Sequence, residues 1–120
     1  MTQRIAWLLL ALLHLAPALA LFRPSMLARL YGVGTRDAAF PLLQHRAALF
    51  GVVVLVAAWA MLNPGVRRLA SVALAASMIS FLAIWWGNGA PASLRSIAMA
   101  DVAGLPVLAF AAWRAFAAPA

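Results

Sequence analysis

LLQHRAALFGVVVLVAAWAML, from Leu42 to Leu62, decides the fold. Beyond Arg46 the stretch carries no charge, and its length is close to the roughly 20 residues a helix needs to cross a hydrocarbon core of about 30 Å. Three further runs of this kind lie on either side of it: Ile5 to Phe22, Leu69 to Trp86 and Ile97 to Phe116. Between them stand residues 23–41, Asn63 to Arg68 (NPGVRR) and Gly87 to Ser96 (GNGAPASLRS), rich in the Pro, Gly, Asn and Arg that end helices and anchor to headgroups. The expectation is an all-α membrane protein, a single domain over 1–120 built as a four-transmembrane-helix bundle. A short interfacial helix at about 25–32 follows the first span. Ser25 is expected to cap it and Gly32 to end it, with Met26, Leu27, Leu30 and Tyr31 in the interface and Arg29 among the headgroups.

Composition agrees. Of the 120 residues 68% are hydrophobic and 9% charged, too little polar surface to coat a water-soluble globule. Cysteine is absent, which removes disulfides, thiolate metal sites, iron–sulfur ligation and cysteine nucleophiles. The net charge of +7 arises from arginines without lysine. A basic excess suggests nucleic acid in a soluble protein, but these arginines flank apolar runs, where anionic lipid is the expected partner and nucleic acid is not.

Aromatic residues offer a separate check, because Trp favours the membrane interface. Four spans place Trp7, Trp59 and Trp113 near one face and Tyr31, Trp85 and Trp86 near the other, so all six are expected as interface anchors. Orientation is balanced: Arg4, Arg67, Arg68 and Arg114 stand against Arg23, Arg29, Arg36, Arg46 and Arg95, which permits insertion both ways round. The first twenty residues also read as a secretory signal, with Arg4, an apolar stretch and Ala18-Leu19-Ala20; His14 within the apolar run speaks against it.

The polar residues inside the runs are the candidate site. Asp101 lies about one turn into the fourth span, where an ionisable group is costly unless paired, protonated or wet. Gln44, His45 and Arg46 begin the second span, which enters from the same face. At about 1.5 Å per residue Arg46 and Asp101 reach similar depths, so an Arg46–Asp101 ion pair is expected. It would either fasten the second span to the fourth or line a polar pocket for a headgroup, small anion or proton. His45 and Arg95 are the alternative partners of Asp101 should Arg46 point outward. His14 sits deeper, near Pro17, which frees the carbonyl of Leu13; Pro106 likewise frees that of Val102. Kinks, or one shared polar cavity, account for both prolines.

His14 and His45 differ in depth by four or five residues on these spans, which argues against bis-histidine haem, and a zinc site from His14, His45 and Asp101 is no better placed. No cofactor and no metal is expected. Small residues on the third span, Ala70, Ser71, Ala73, Ala75, Ala76, Ser77 and Ser80, suit close packing within the chain or in a homodimer, and serines there can bond the carbonyl one turn back. A phosphate-cradling glycine loop, a GxSxG elbow and an HExxH pair are all missing, which disfavours an enzyme.

MLARLYGVG (Met26 to Gly34), LLQHRAALFG (Leu42 to Gly51) and the aspartate of the last span resemble a group of uncharacterised small four-helix proteobacterial inner-membrane proteins, DoxX-like in layout. The resemblance covers nearly the whole chain and implies a multi-pass protein of the bacterial inner membrane, with His45, Arg46 and Asp101 as family-defining polar positions. It brings no settled activity. Some of that group are named phosphopantetheine adenylyltransferases, a soluble nucleotide-binding activity that needs a parallel sheet and a His-containing phosphate loop; this sequence has neither.

The leading functional expectation is a non-enzymatic accessory subunit or small-ligand or lipid-binding module, working with membrane lipid and with a homodimer or larger membrane complex as its protein context. A homodimeric proton-coupled transporter is the alternative, from the weak charge bias and the buried acid. A quinone- or haem-linked redox component, from His14 and His45, is the third.

Overall fold

A computed structural model describes residues 2–118. It is all-α, with helices α1 (Thr2–Leu19), α2 (Pro24–Tyr31), α3 (Phe40–Leu62), α4 (Arg67–Gly87) and α5 (Arg95–Ala117). Single 3-10 turns at Ala20–Phe22, Pro64–Val66 and Ala92–Leu94 lengthen α1, α4 and α5. With those turns, α1, α3, α4 and α5 are each long and apolar enough to cross a membrane.

The punctuation works through local chemistry. Pro24 occupies the first turn of α2, and its fixed φ starts the helix with Arg23 as N-cap. Ser25 therefore falls inside the first turn and does not cap, contrary to the sequence expectation. Gly32 ends α2 at φ 67, in the left-handed region that glycine enters without cost. Between α3 and α4, the Asn63 side chain accepts from the Gly65 amide at 2.8 Å, fixing the turn into Pro64.

α1 packs along α3 and α5, and α4 packs along the same two helices, so α3 and α5 face each other across a diagonal. The interior divides into two clusters. Towards the chain termini, Trp7, Leu10, Leu74, Met78 and Leu108 pack among alanines of all four long helices, including Ala6, Ala57, Ala60, Ala70 and Ala111. Towards α2, Leu27, Tyr31, Phe40, Phe50, Phe81 and Ile97 form an aromatic cluster around Ala20 and Ala47.

Two expected interface anchors belong to these clusters instead. Trp7 is fully buried, since the alanines facing it leave a space that one indole fills. Tyr31 turns inward at the end of α2 and is 6% exposed. Trp59, Trp86 and Trp113 are on the outer surface, while Trp85 is half-buried and donates from Nε1 to the Pro91 carbonyl at 3.0 Å. On α4, Ser71 and Ser80 bond carbonyls a turn back, Arg67 at 2.7 Å and Ser77 at 3.1 Å. The tightest approach falls on α5: a Cβ on Gly104 would run into Leu13 Cδ2 and stand 2.9 Å from Met78 Cε, so only glycine fits there without repacking.

Candidate functional site

Arg46 lies two turns into α3, on the face turned toward the aromatic cluster. Its guanidinium stacks between two rings, 4.4 Å from the Phe81 centroid and 5.0 Å from that of Phe50. Such stacking stabilises a partly desolvated cation without using its N–H donors. Nε donates to the Tyr31 hydroxyl at 3.2 Å, which ties α2 to α3. Burial pushes the Tyr31 phenol above its ordinary pKa, and the Arg46 charge and hydrogen bond pull the other way. The phenol thus keeps its proton and offers an oxygen lone pair to Nε. Among the described residues, the terminal nitrogens of Arg46 donate no hydrogen bond.

Two cavities meet this guanidinium. The larger, about 300 Å³, is lined by Tyr31, Leu43, Arg46, Phe81, Ile84 and Trp85, with Asn88 and Ser93 toward α2 and the turn before α5. The smaller, about 160 Å³, is lined by Arg46, Phe50, Ser77, Ser80, Phe81 and Asp101 among others. Arg46, Phe81 and Ile84 wall both. The arrangement is a cation with free terminal donors between an apolar chamber and a second one whose apolar wall also carries Ser77, Ser80 and Asp101.

The expected Arg46–Asp101 ion pair does not form. Both side chains line the smaller cavity, but they project from α3 and α5, the diagonal helices, and matching depth does not bring diagonal helices together. Asp101 meets the adjacent helix: its Oδ1 is 3.9 Å from His14 Nε2 of α1, and both residues are buried. His14 Nδ1 lies 2.8 Å from the Leu10 carbonyl, and its ring stands 5.8 Å from Phe50. Among the described residues, His14 Nε2 has no hydrogen-bond partner.

The other sequence candidates fall outside this cluster. Gln44 is half-buried and His45 exposed, and neither lines either cavity; Arg95, the other alternative partner of Asp101, is exposed. With His14 interior and His45 on the outer face, the two imidazoles do not share a site. Among the described residues, no group of three His, Cys, Asp or Glu side chains is placed to hold a metal ion. Pro17 and Pro106 line neither cavity.

Tyr31, Phe50 and Phe81 are the site residues that sequence reasoning missed. Phe50 and Arg46 are four apart, one turn on a single helix face, which was a usable signal. Phe81 has none, since its contact is made across helices. Compared with known proteins, the chain matches no family model, no characterised protein and no solved structure.

Proposed function

We propose that this chain is a membrane-embedded, non-enzymatic ligand-binding module that takes the anionic headgroup of an amphipathic lipid at Arg46 and lays its apolar part against Leu43, Phe81, Ile84 and Trp85. One observation carries the reading: a guanidinium fixed by two rings and one phenol, with its terminal donors uncommitted, walls two cavities. Arginine recognises carboxylate and phosphate through those terminal donors. The bundle's outer face is consistent with lipid around it, since Phe22, Leu42, Leu55, Leu62, Leu69 and Trp86 stand out from the surface. The resemblance noted above favours the bacterial inner membrane as its setting.

The test is mass spectrometry of lipids that co-purify with the protein in an uncharged detergent, compared with the bulk membrane extract. Wild-type protein retains an anionic lipid in stoichiometric amount, and Arg46→Ala loses it about tenfold or more. Equal retention by both proteins, or wild-type protein carrying only the bulk lipid mixture, overturns the proposal. A second reading, proton-coupled transport by a homodimer, draws on the buried His14–Asp101 pair beside the cavity. It predicts flux through reconstituted vesicles that vanishes in Asp101→Asn.

A further inference from the structure

The tautomer of His14 follows from its neighbours. The Leu10 carbonyl can only accept, so Nδ1 at 2.8 Å carries the hydrogen. In a neutral imidazole Nε2 is then a bare lone pair, and the atom facing it at 3.9 Å is a carboxylate oxygen. With both residues buried, that would set two acceptors against each other with no donor between them. One additional proton removes the conflict, either as a carboxylic O–H directed at Nε2 or as an imidazolium N–H directed at the carboxylate. The two forms have the same atoms and the same net charge of zero, and the proton belongs to the pair.

We propose that His14 and Asp101 form a one-proton binding site beneath the smaller cavity, and that this proton decides whether Arg46 can hold an anion. The ionisable groups around it are few. α1 supplies His14, α3 supplies Arg46, α2 supplies Tyr31 through its bond to Arg46, and α4 brings only the hydroxyls of Ser77 and Ser80. With the proton bound, the pair is neutral and the cavity keeps the full charge of Arg46. When the proton leaves through Asp101, the residue of the pair that lines the cavity, the carboxylate charge cancels that of Arg46. An anion bound at Arg46 then faces a site with no net charge, and it is released. Anion binding and proton binding therefore favour each other reciprocally.

The coupling rests on the anion reading above; the proton site does not, and the experiment separates them. Octanesulfonate is the probe, because a strong acid keeps its own charge across the range. Its binding to the full chain in an uncharged detergent is followed by Trp fluorescence, since Trp85 lines the larger cavity. Wild-type affinity falls about tenfold or more between about pH 5 and pH 9, while Asp101→Asn, which cannot acquire the charge, loses that fall whatever its own affinity. Binding by wild type that is independent of pH, or that strengthens as pH rises, overturns the coupling and leaves the anion reading intact. No binding at any pH overturns the anion reading and the coupling with it. The proton site is judged separately by nitrogen NMR of histidine-labelled wild-type protein together with the infrared carboxyl bands of Asp101, assigned by difference from Asp101→Asn. Near neutral pH they show either a protonated carboxyl or an imidazolium at His14. A neutral imidazole beside an ionised carboxylate overturns the site; should Asp101→Asn fail to fold, carbon NMR of carboxyl-labelled aspartate reads the carboxyl in otherwise wild-type protein, since Asp37 and Asp101 are the two acidic residues of the sequence and Asp37→Asn assigns their signals.

Discussion

The two ends of the bundle use arginine in opposite ways. At the end that carries the termini, Arg67 donates from Nε to the Ala60 carbonyl at 2.7 Å, from Nη2 to that of Met61 at 3.2 Å, and from Nη1 to the Gln3 side chain. Arg68 beside it donates to the carbonyls of Ala115 at 3.1 Å and Ala118 at 2.7 Å. These are the orphan carbonyls of the last turns of α3 and α5, which a cation satisfies by both hydrogen bond and dipole. At the other end Arg46 makes one hydrogen bond and stacks on two rings. The core follows the same division, alanine-lined and filled by Trp7 at one end and aromatic at the other. An arginine whose donors are spent on its own chain is a strut, and one whose donors are free is available to a ligand.

The strongest way to break this division is to disturb both ends at once. Gly104 stands one turn after Asp101 on α5, in contact range of Leu13 on α1 and Met78 on α4. Gly104→Leu drives α5 away from both helices, which costs about 3 kcal/mol by overpacking and separates Asp101 from His14. Gly104→Ala costs less, because the atoms in its way are the tips of the flexible Leu13 and Met78 side chains. Denaturation in mixed micelles should rank the two variants in that order. A leucine variant as stable as wild type would show that the helices do not meet there.

Arg67→Ala comes next. It strands the Ala60 and Met61 carbonyls and Gln3, and is expected to cost about 2 kcal/mol, a fraction of the sum of its bonds because the site is partly open to solvent. The same assay on Arg46→Ala should show a smaller loss, about 1 kcal/mol, since one neutral acceptor and two ring faces lose their partner. Equal losses at the two positions would erase the contrast between strut and ligand site.

How much of this was legible in the sequence depends on what each feature requires. The four long helices follow from run length with Pro64 and Gly89 between them, and α2 from Pro24 and Gly32, all local signals. Trp7 was misread because depth along a helix says nothing about which side of the helix faces in; the alanines of three other helices decide that. The Arg46–Asp101 expectation failed for the same reason, because the two side chains project from diagonal helices. The His14–Asp101 approach left a weak trace. His14 stands eight residues before Phe22 and Asp101 six after Arg95, so counting from the true helix ends brings them near one level, whereas starting the last span at Ile97 set Asp101 too shallow. The cavities left none, because they are spaces between five elements and no residue pattern encodes a void.

The smallest expected effect is also the most discriminating. Tyr31 holds Arg46 through Nε at 3.2 Å, on the side of α2 and the larger cavity. Tyr31→Phe keeps the ring and removes that acceptor, at about 1 kcal/mol or less in stability. The guanidinium is then free to turn within the smaller cavity, whose wall includes Asp101, and a direct ion pair there would consume the donors that an anion needs. Octanesulfonate binding to Tyr31→Phe should therefore weaken by about fivefold near neutral pH, and the double variant with Asp101→Asn should recover most of it. Unchanged binding in the single variant would mean that the two stacked rings, Phe50 and Phe81, hold Arg46 without help. A loss that the second substitution does not repair would mean that Tyr31 touches the ligand itself, and the phenol would then belong to the binding surface along with the arginine.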